Sequence, residues 1–114
     1  HRLSSAASDV YKRQILPLPL KKKWFDLMIS GKKKVEIREQ KPWVTSRLKN
    51  LKKYYDLIKF INGYAGDKPY FICEYKGFEI SNKFETLHFE NLKIDVKKGD
   101  YVIKLGKIIE KGNV

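Results

Sequence analysis

The run Ile29-Ser-Gly-Lys-Lys-Lys-Val-Glu-Ile-Arg38 holds the densest chemistry in the chain. A glycine able to stop a helix is followed by a basic turn, then by strict alternation from Lys34 to Arg38. Alternation on a strand puts Lys34, Glu36 and Arg38 on one face, with Val35 and Ile37 on the other. Arginine grips phosphate or carboxylate through two parallel hydrogen bonds. Glu36, between two cations, stays ionised unless it is buried, and as a carboxylate accepts from an exocyclic amine or a ribose hydroxyl. Lys33 binds an anion or, once desolvation lowers its pKa, acts as a base, so Lys33 and Glu36 are a candidate general acid/base pair. The same spacing equally suits an exposed strand face whose charges pair with one another at little energetic consequence.

A second constellation is Asn62-Gly63-Tyr64. The Asn62 amide can pair with a base edge and Tyr64 can stack on a base, although a plain turn capped by Tyr64 fits as well. Trp24 and Trp43 flank the basic stretch as candidate stacking platforms. Trp24 falls on the apolar face of a helix and so also suits core packing. Lys23 and its neighbours Lys21 and Lys22, together with Arg47, Lys49, Lys52 and Lys53, offer an electrostatic approach for a phosphate backbone. Cys73 alternates into a strand interior, and His88 has no evident partner. With one cysteine and two histidines, the chain has no disulfide framework and no histidine-rich metal site, so neither a metal nor another cofactor is expected.

Those residues need elements to position them. Ile15-Leu-Pro-Leu-Pro-Leu20 is apolar but broken by Pro17 and Pro19, which suits an edge or first strand. Lys22–Ser30 reads as a short helix ending at Gly31, and Lys34–Arg38 as a strand. Pro42 suits the first turn of a second helix running to about Tyr54, with Val44, Leu48, Leu51 and Tyr55 along a narrow apolar stripe. Residues 56–61 form a buried strand, 70–76 another that continues to 80 past a bulge at Gly77, and 81–91 are irregular. Leu92–Val96 and Tyr101–Leu105 are expected to pair as a hairpin around Lys98-Gly99-Asp100. Two helices in the first half and about six strands give an α+β fold, most simply a small, closed or partly closed β-barrel.

At this point Leu20 to Arg38 resembles the opening motif of ASCH domains, small barrels related to the PUA RNA-binding domain. The family pattern of a helix, Gly, a basic residue, Lys, an acidic or hydroxyl residue and Arg falls on Gly31, Lys32, Lys33, Glu36 and Arg38. The similarity continues through Lys41-Pro-Trp43, residues 55–64 and residues 101–110, and is greatest to a compact bacterial and phage-borne branch. The resemblance implies a cleft at one barrel end, beside the first helix and the following strand, with RNA or modified nucleosides as ligands. One branch hydrolyses N4-acetylcytidine with a Lys, a Thr and a Glu. Lys33 matches that Lys, but Glu36 replaces the Thr nucleophile, and the family's Glu has no counterpart between Ile80 and Leu92. The resemblance therefore supports the pocket and argues against that deacetylase mechanism. A ribonuclease activity is also reported within the family.

Charge placement points the same way. The 114 residues carry a net charge of +12, and residues 21–59 alone hold 13 basic and 4 acidic side chains. A one-sided basic field concentrates polyanions, although a lysine-rich composition would also produce lysine-rich surfaces. A hydrophobic fraction of 42% and an aromatic fraction of 13% exceed what a disordered basic tail carries. No apolar run is long enough to span a membrane. Residues 1–14 have no periodicity and resemble a translated sequencing-adaptor tail, so residues 15–114 are expected to form the one domain, with the native start near Ile15. The expectation is a cytoplasmic monomer that binds RNA or a nucleotide-like ligand through Lys23, Lys33, Lys34, Glu36, Arg38, Trp43, Arg47, Asn62 and Tyr64. The alternatives are a hydrolase acting on a modified nucleoside or RNA, and a basic module that docks an acidic protein.

Overall fold

The structure is a computed structural model that describes residues 14–63 and 67–114, with only the backbone considered at 14 and 50–55. The expected tail, residues 1–14, lies outside it apart from the backbone of Gln14, and Tyr64 also lies outside it. The element order is β1 (Gln14–Leu20), α1 (Lys22–Ile29), β2 (Val35–Arg38), α2 (Pro42–Tyr54), β3 (Tyr55–Asn62), β4 (Tyr70–Ile80), β5 (Glu85–Phe89), β6 (Leu92–Val96) and β7 (Tyr101–Gly112). The fold is α+β. Five strands form one sheet in the order β1-β3-β4-β7-β2, and β5 and β6 form a separate hairpin. Only β1 and β3 run parallel; the other pairs are antiparallel.

β1 ends the sheet because of its prolines. Backbone groups of residues two apart point to the same side of a strand, so Pro17 and Pro19 remove two donors from one edge. The opposite edge pairs with β3, from Ile15↔Leu57 to Leu20↔Asn62. β2 ends the other side of the sheet, held to β7 from Val35↔Lys104 to Arg38↔Tyr101. Among the described residues the strand pairing does not close between β1 and β2.

One core lies between the sheet and the helices. Leu16 and Leu18 of β1, Ile58 and Phe60 of β3, Phe71 of β4 and Ile103 of β7 meet Phe25 and Met28 of α1 and Val44 and Leu48 of α2. The Phe71 ring lies 5.3 Å from both Phe25 and Phe60, within the range of favourable tilted aromatic pairs. Pro42 starts α2, and the Thr45 hydroxyl meets the Tyr101 hydroxyl at 2.7 Å, tying that helix to β7 beside Arg38. No helix among the described residues is long and apolar enough to cross a membrane.

Two expectations about the second half are corrected. Leu92–Val96 pairs with Glu85–Phe89, not with Tyr101–Leu105, so the segment 81–91 contains a strand and the described residues hold seven. β7 leaves the Gly99 turn to run between β4 and β2, and it continues to Gly112. The turn that makes the true hairpin places Glu90, not a glycine, at a positive φ of 56°. Gly99, at φ 96°, marks a turn between sheets. The bulge expected at Gly77 is present, with Tyr75 opposite Leu105 and Phe78 opposite Ile103.

Candidate functional site

The site begins where α1 stops. Ser30 donates its hydroxyl to the Leu27 carbonyl at 2.8 Å, and Gly31 takes φ 84°, a conformation glycine adopts without strain. The amides of Lys32 and Lys33 then both turn back to the Leu27 carbonyl. This tight reversal directs Lys33 under the helix, so of three consecutive lysines it is the one that becomes buried, at 1% exposure.

The Lys33 Nζ donates to the Val35 carbonyl at 2.5 Å and lies 3.6 Å from Glu36 Oε1. The rings of Trp24 and Phe89 stand 5.3 and 5.6 Å from it, within cation–π range. Glu36, itself 5% exposed, accepts from Arg38 Nε through Oε2 at 2.7 Å. Arg38 Nη2 donates to the Pro19 carbonyl at 2.7 Å. The result is a triad of two cations and one carboxylate, buried at Lys33 and Glu36, partly exposed at Arg38 and fixed at that outer end to β1. Burial pushes the Lys33 ammonium below its ordinary value, Glu36 beside it works the other way, and Arg38 adds to the lowering.

The charged side of β2 thus turns inward, which corrects the expectation of an evenly alternating charged face. Glu36 is buried, and Lys34 is exposed and apart from it. Lys34 precedes the strand, and its carbonyl accepts from Leu105 N at 3.0 Å. Lys33 is likewise not a surface contact, because its ammonium is satisfied beneath the strand.

A cleft of about 310 Å³ opens over the triad, between the unpaired edges of β1 and β2. Glu36 and Arg38 form one wall. Pro19, Leu20 and Lys21 line the cleft from the end of β1, with Trp24 of α1 and Ile94 of β6. The cleft therefore offers a carboxylate acceptor, guanidinium donors, an aromatic ring and an exposed ammonium. Arg38 also borders a small hollow shared with Trp43 and Arg47. There the Arg47 guanidinium lies 5.1 Å from the Trp43 ring, which is 43% exposed. Lys23 is exposed, its Nζ 5.2 Å from the Trp24 ring.

Of the expected residues, the structure brings together Lys33, Glu36 and Arg38, with Trp43 and Arg47 adjoining through Arg38 and Lys23 near the rim. Asn62 stands apart. It pairs in register with Leu20 and donates its backbone N–H to the Pro69 carbonyl at 2.9 Å, but it does not line the cleft. The lining beside Glu36 and Arg38 comes from Pro19, Leu20, Lys21, Trp24, Ile37 and Ile94. Trp24 was legible as a candidate platform. Ile94 and Phe89 were not, because they arrive on a hairpin whose pairing the sequence concealed. No family model, curated protein or solved structure matches the chain.

Proposed function

We propose that this chain binds single-stranded RNA or a nucleotide-like ligand in the cleft between β1 and β2, as an ASCH-like domain on a PUA-type barrel. The observation that carries the reading is the Glu36–Arg38 pair, held at 2.7 Å and presented to a cleft walled by Trp24. A carboxylate and a guanidinium fixed side by side match the mixed donors and acceptors of a base edge, and an adjacent ring supplies stacking. The cleft's roughly 310 Å³ lies at the small end of ligand pockets, which suits one nucleoside at a time. Trp43 and Arg47 extend the same surface for a neighbouring nucleotide, and the basic stretch 21–59 attracts the backbone. The barrel part of the reading is supported by Arg38, whose bond to the Pro19 carbonyl spans the two strand edges that do not pair.

The test is fluorescence anisotropy with a short labelled single-stranded RNA. Arg38→Ala is expected to weaken binding about 5- to 150-fold, the equivalent of roughly 1–3 kcal/mol for a charge-assisted contact. Unchanged affinity in a variant that still melts cooperatively rejects the reading.

One observation favours a hydrolytic role for the same cleft. Lys33, held below its ordinary pKa, sits 3.6 Å from Glu36, which faces the cleft. In that reading Glu36 is the base towards water and Lys33 stabilises its charge from beneath. Incubation with acylated cytidines and short RNAs, followed by product analysis, decides it. Turnover abolished by Glu36→Gln supports hydrolysis, and no turnover at high protein concentration rejects it.

A further inference from the structure

A second and slightly larger pocket, about 340 Å³, lies between the end of α1 and strands β4 and β7. Its floor is apolar: Met28, Phe71, Cys73 and Leu105 line it, and all four are buried. Its mouth is cationic. Lys34, Lys107 and Lys111 line it and are exposed, and no aspartate or glutamate is among the described lining residues. None of these three lysines forms an ion pair with a described carboxylate, unlike Lys22, Lys32, Lys76 and Lys104.

The position of Lys107 is built by the backbone. Cys73 opposes Ile108 and Tyr75 opposes Leu105, so Glu74 alone faces both Gly106 and Lys107. This is a β-bulge, a device that re-aims a side chain. Strict alternation from the buried Leu105 would send Lys107 inward. The extra residue instead returns Ile108 to the core and leaves Lys107 at the mouth. The bulge is anchored, because the Lys107 amide donates to Glu74 Oε1 at 3.0 Å. Glycine at 106 also keeps this spot open, since a Cβ there would lie 2.5 Å from Lys76 Cε, the flexible end of an exposed side chain, and 3.2 Å from Glu74 Cβ. The helix end does not oppose an anion strongly, because the Leu27 and Met28 carbonyls already accept from Gly31, Lys32 and Lys33.

We propose that this pocket is a second ligand site, taking a phosphate monoester with a small planar or aliphatic body. The body covers the apolar floor and the phosphate sits among Lys34, Lys107 and Lys111. A neutral ligand would leave the cationic lining without a counter-charge, and a bare ion would leave the floor uncovered. Lysine ammoniums act as point charges, which suits a tetrahedral dianion better than a flat carboxylate that wants a guanidinium fork. The proposal does not rest on the reading of the cleft. Lys33 separates the two sites, since it lines this pocket while its ammonium meets Glu36 in the other.

The experiment is an NMR titration of the full ¹⁵N-labelled chain with adenosine 5′-monophosphate, with adenosine and inorganic phosphate as separate arms. Saturable shifts are expected at the amides of Gly31, Gly106 and Lys107, with adenosine and phosphate each binding at least about tenfold more weakly. Removing Lys107 and Lys111 together (Lys107→Ala with Lys111→Ala) should weaken the monophosphate about tenfold or more. A charge-matched control, Lys93→Ala with Lys97→Ala, removes two exposed lysines elsewhere and should change affinity less than about twofold. Equal losses in the two double variants overturn the proposal, as does the lack of saturation at millimolar ligand. Shifts confined to Leu20, Trp24 and Arg38 also overturn it while leaving the cleft reading intact.

Discussion

Removing the Glu36 carboxylate should strand one buried and one partly buried cation. In Glu36→Ala, the Lys33 side chain, fully buried, and the Arg38 side chain, 17% exposed, lose the one anion between them. Breaking a buried pair from one side typically costs about 3–5 kcal/mol, because the remaining charge stays desolvated. Against a total stability of about 5–15 kcal/mol this is a large fraction, worth roughly 12–24 °C in melting temperature even at the lower figure. Lys33 has an escape that Arg38 lacks, which is to lose its proton. Its pKa in the folded state is already below 10.5, the unfolded value, and removing Glu36 lowers it further. Between the folded and unfolded values the unfolded chain binds more protons, so stability rises with pH there. Urea unfolding should therefore show a large loss at pH 7 that shrinks by pH 9.5. The double variant Lys33→Met, Glu36→Ala should recover much of the loss at pH 7, because one stranded charge is gone. A loss below about 1 kcal/mol, the same at both pH values and not relieved by Lys33→Met, would refute the reasoning.

Other outcomes follow from the same geometry. Cys73, whose thiol burial pushes up to about 12 with Glu74 adding to the effect, should resist iodoacetamide at pH 8 in the folded chain and react only on unfolding, as read by intact mass. Gly31→Ala forces a Cβ onto φ 84° and should cost about 1–2 kcal/mol in urea unfolding, although nothing lies near enough to clash. Thr45→Val breaks the 2.7 Å bond to Tyr101 and should lower stability by about 1 kcal/mol in the same assay.

The first half of the chain was largely legible because local signals there agree. Pro17 and Pro19 mark the edge strand, Gly31 ends one helix and Pro42 begins the next, and all three readings stand. The second half misled at one point for a physical reason. Glu90 turns the β5–β6 hairpin without a glycine, whereas Gly99 marks a turn that joins no hairpin, so the visible signal sat on the wrong connection. Leu87 and Phe89 are only half-buried, so β5 has no strongly apolar face to announce it. In the site, the motif residues Glu36 and Arg38 were readable as a pair. Which of Lys32, Lys33 and Lys34 turns inward was not, because the reversal at Leu27 decides it and alternation does not. The Asn62 amide has the chemistry to meet a base, but its register opposite Leu20 places it one strand away from the cleft.

The most direct test of the cleft is an NMR titration of the ¹⁵N-labelled chain with a short single-stranded RNA, following the Trp24 indole N–H and the amides of Leu20, Lys21 and Arg38. These resonances should shift together and saturate, and the shifts should be lost in Arg38→Ala. Shifts that spread over the lysine surface and leave Trp24 and Arg38 unmoved would contradict it.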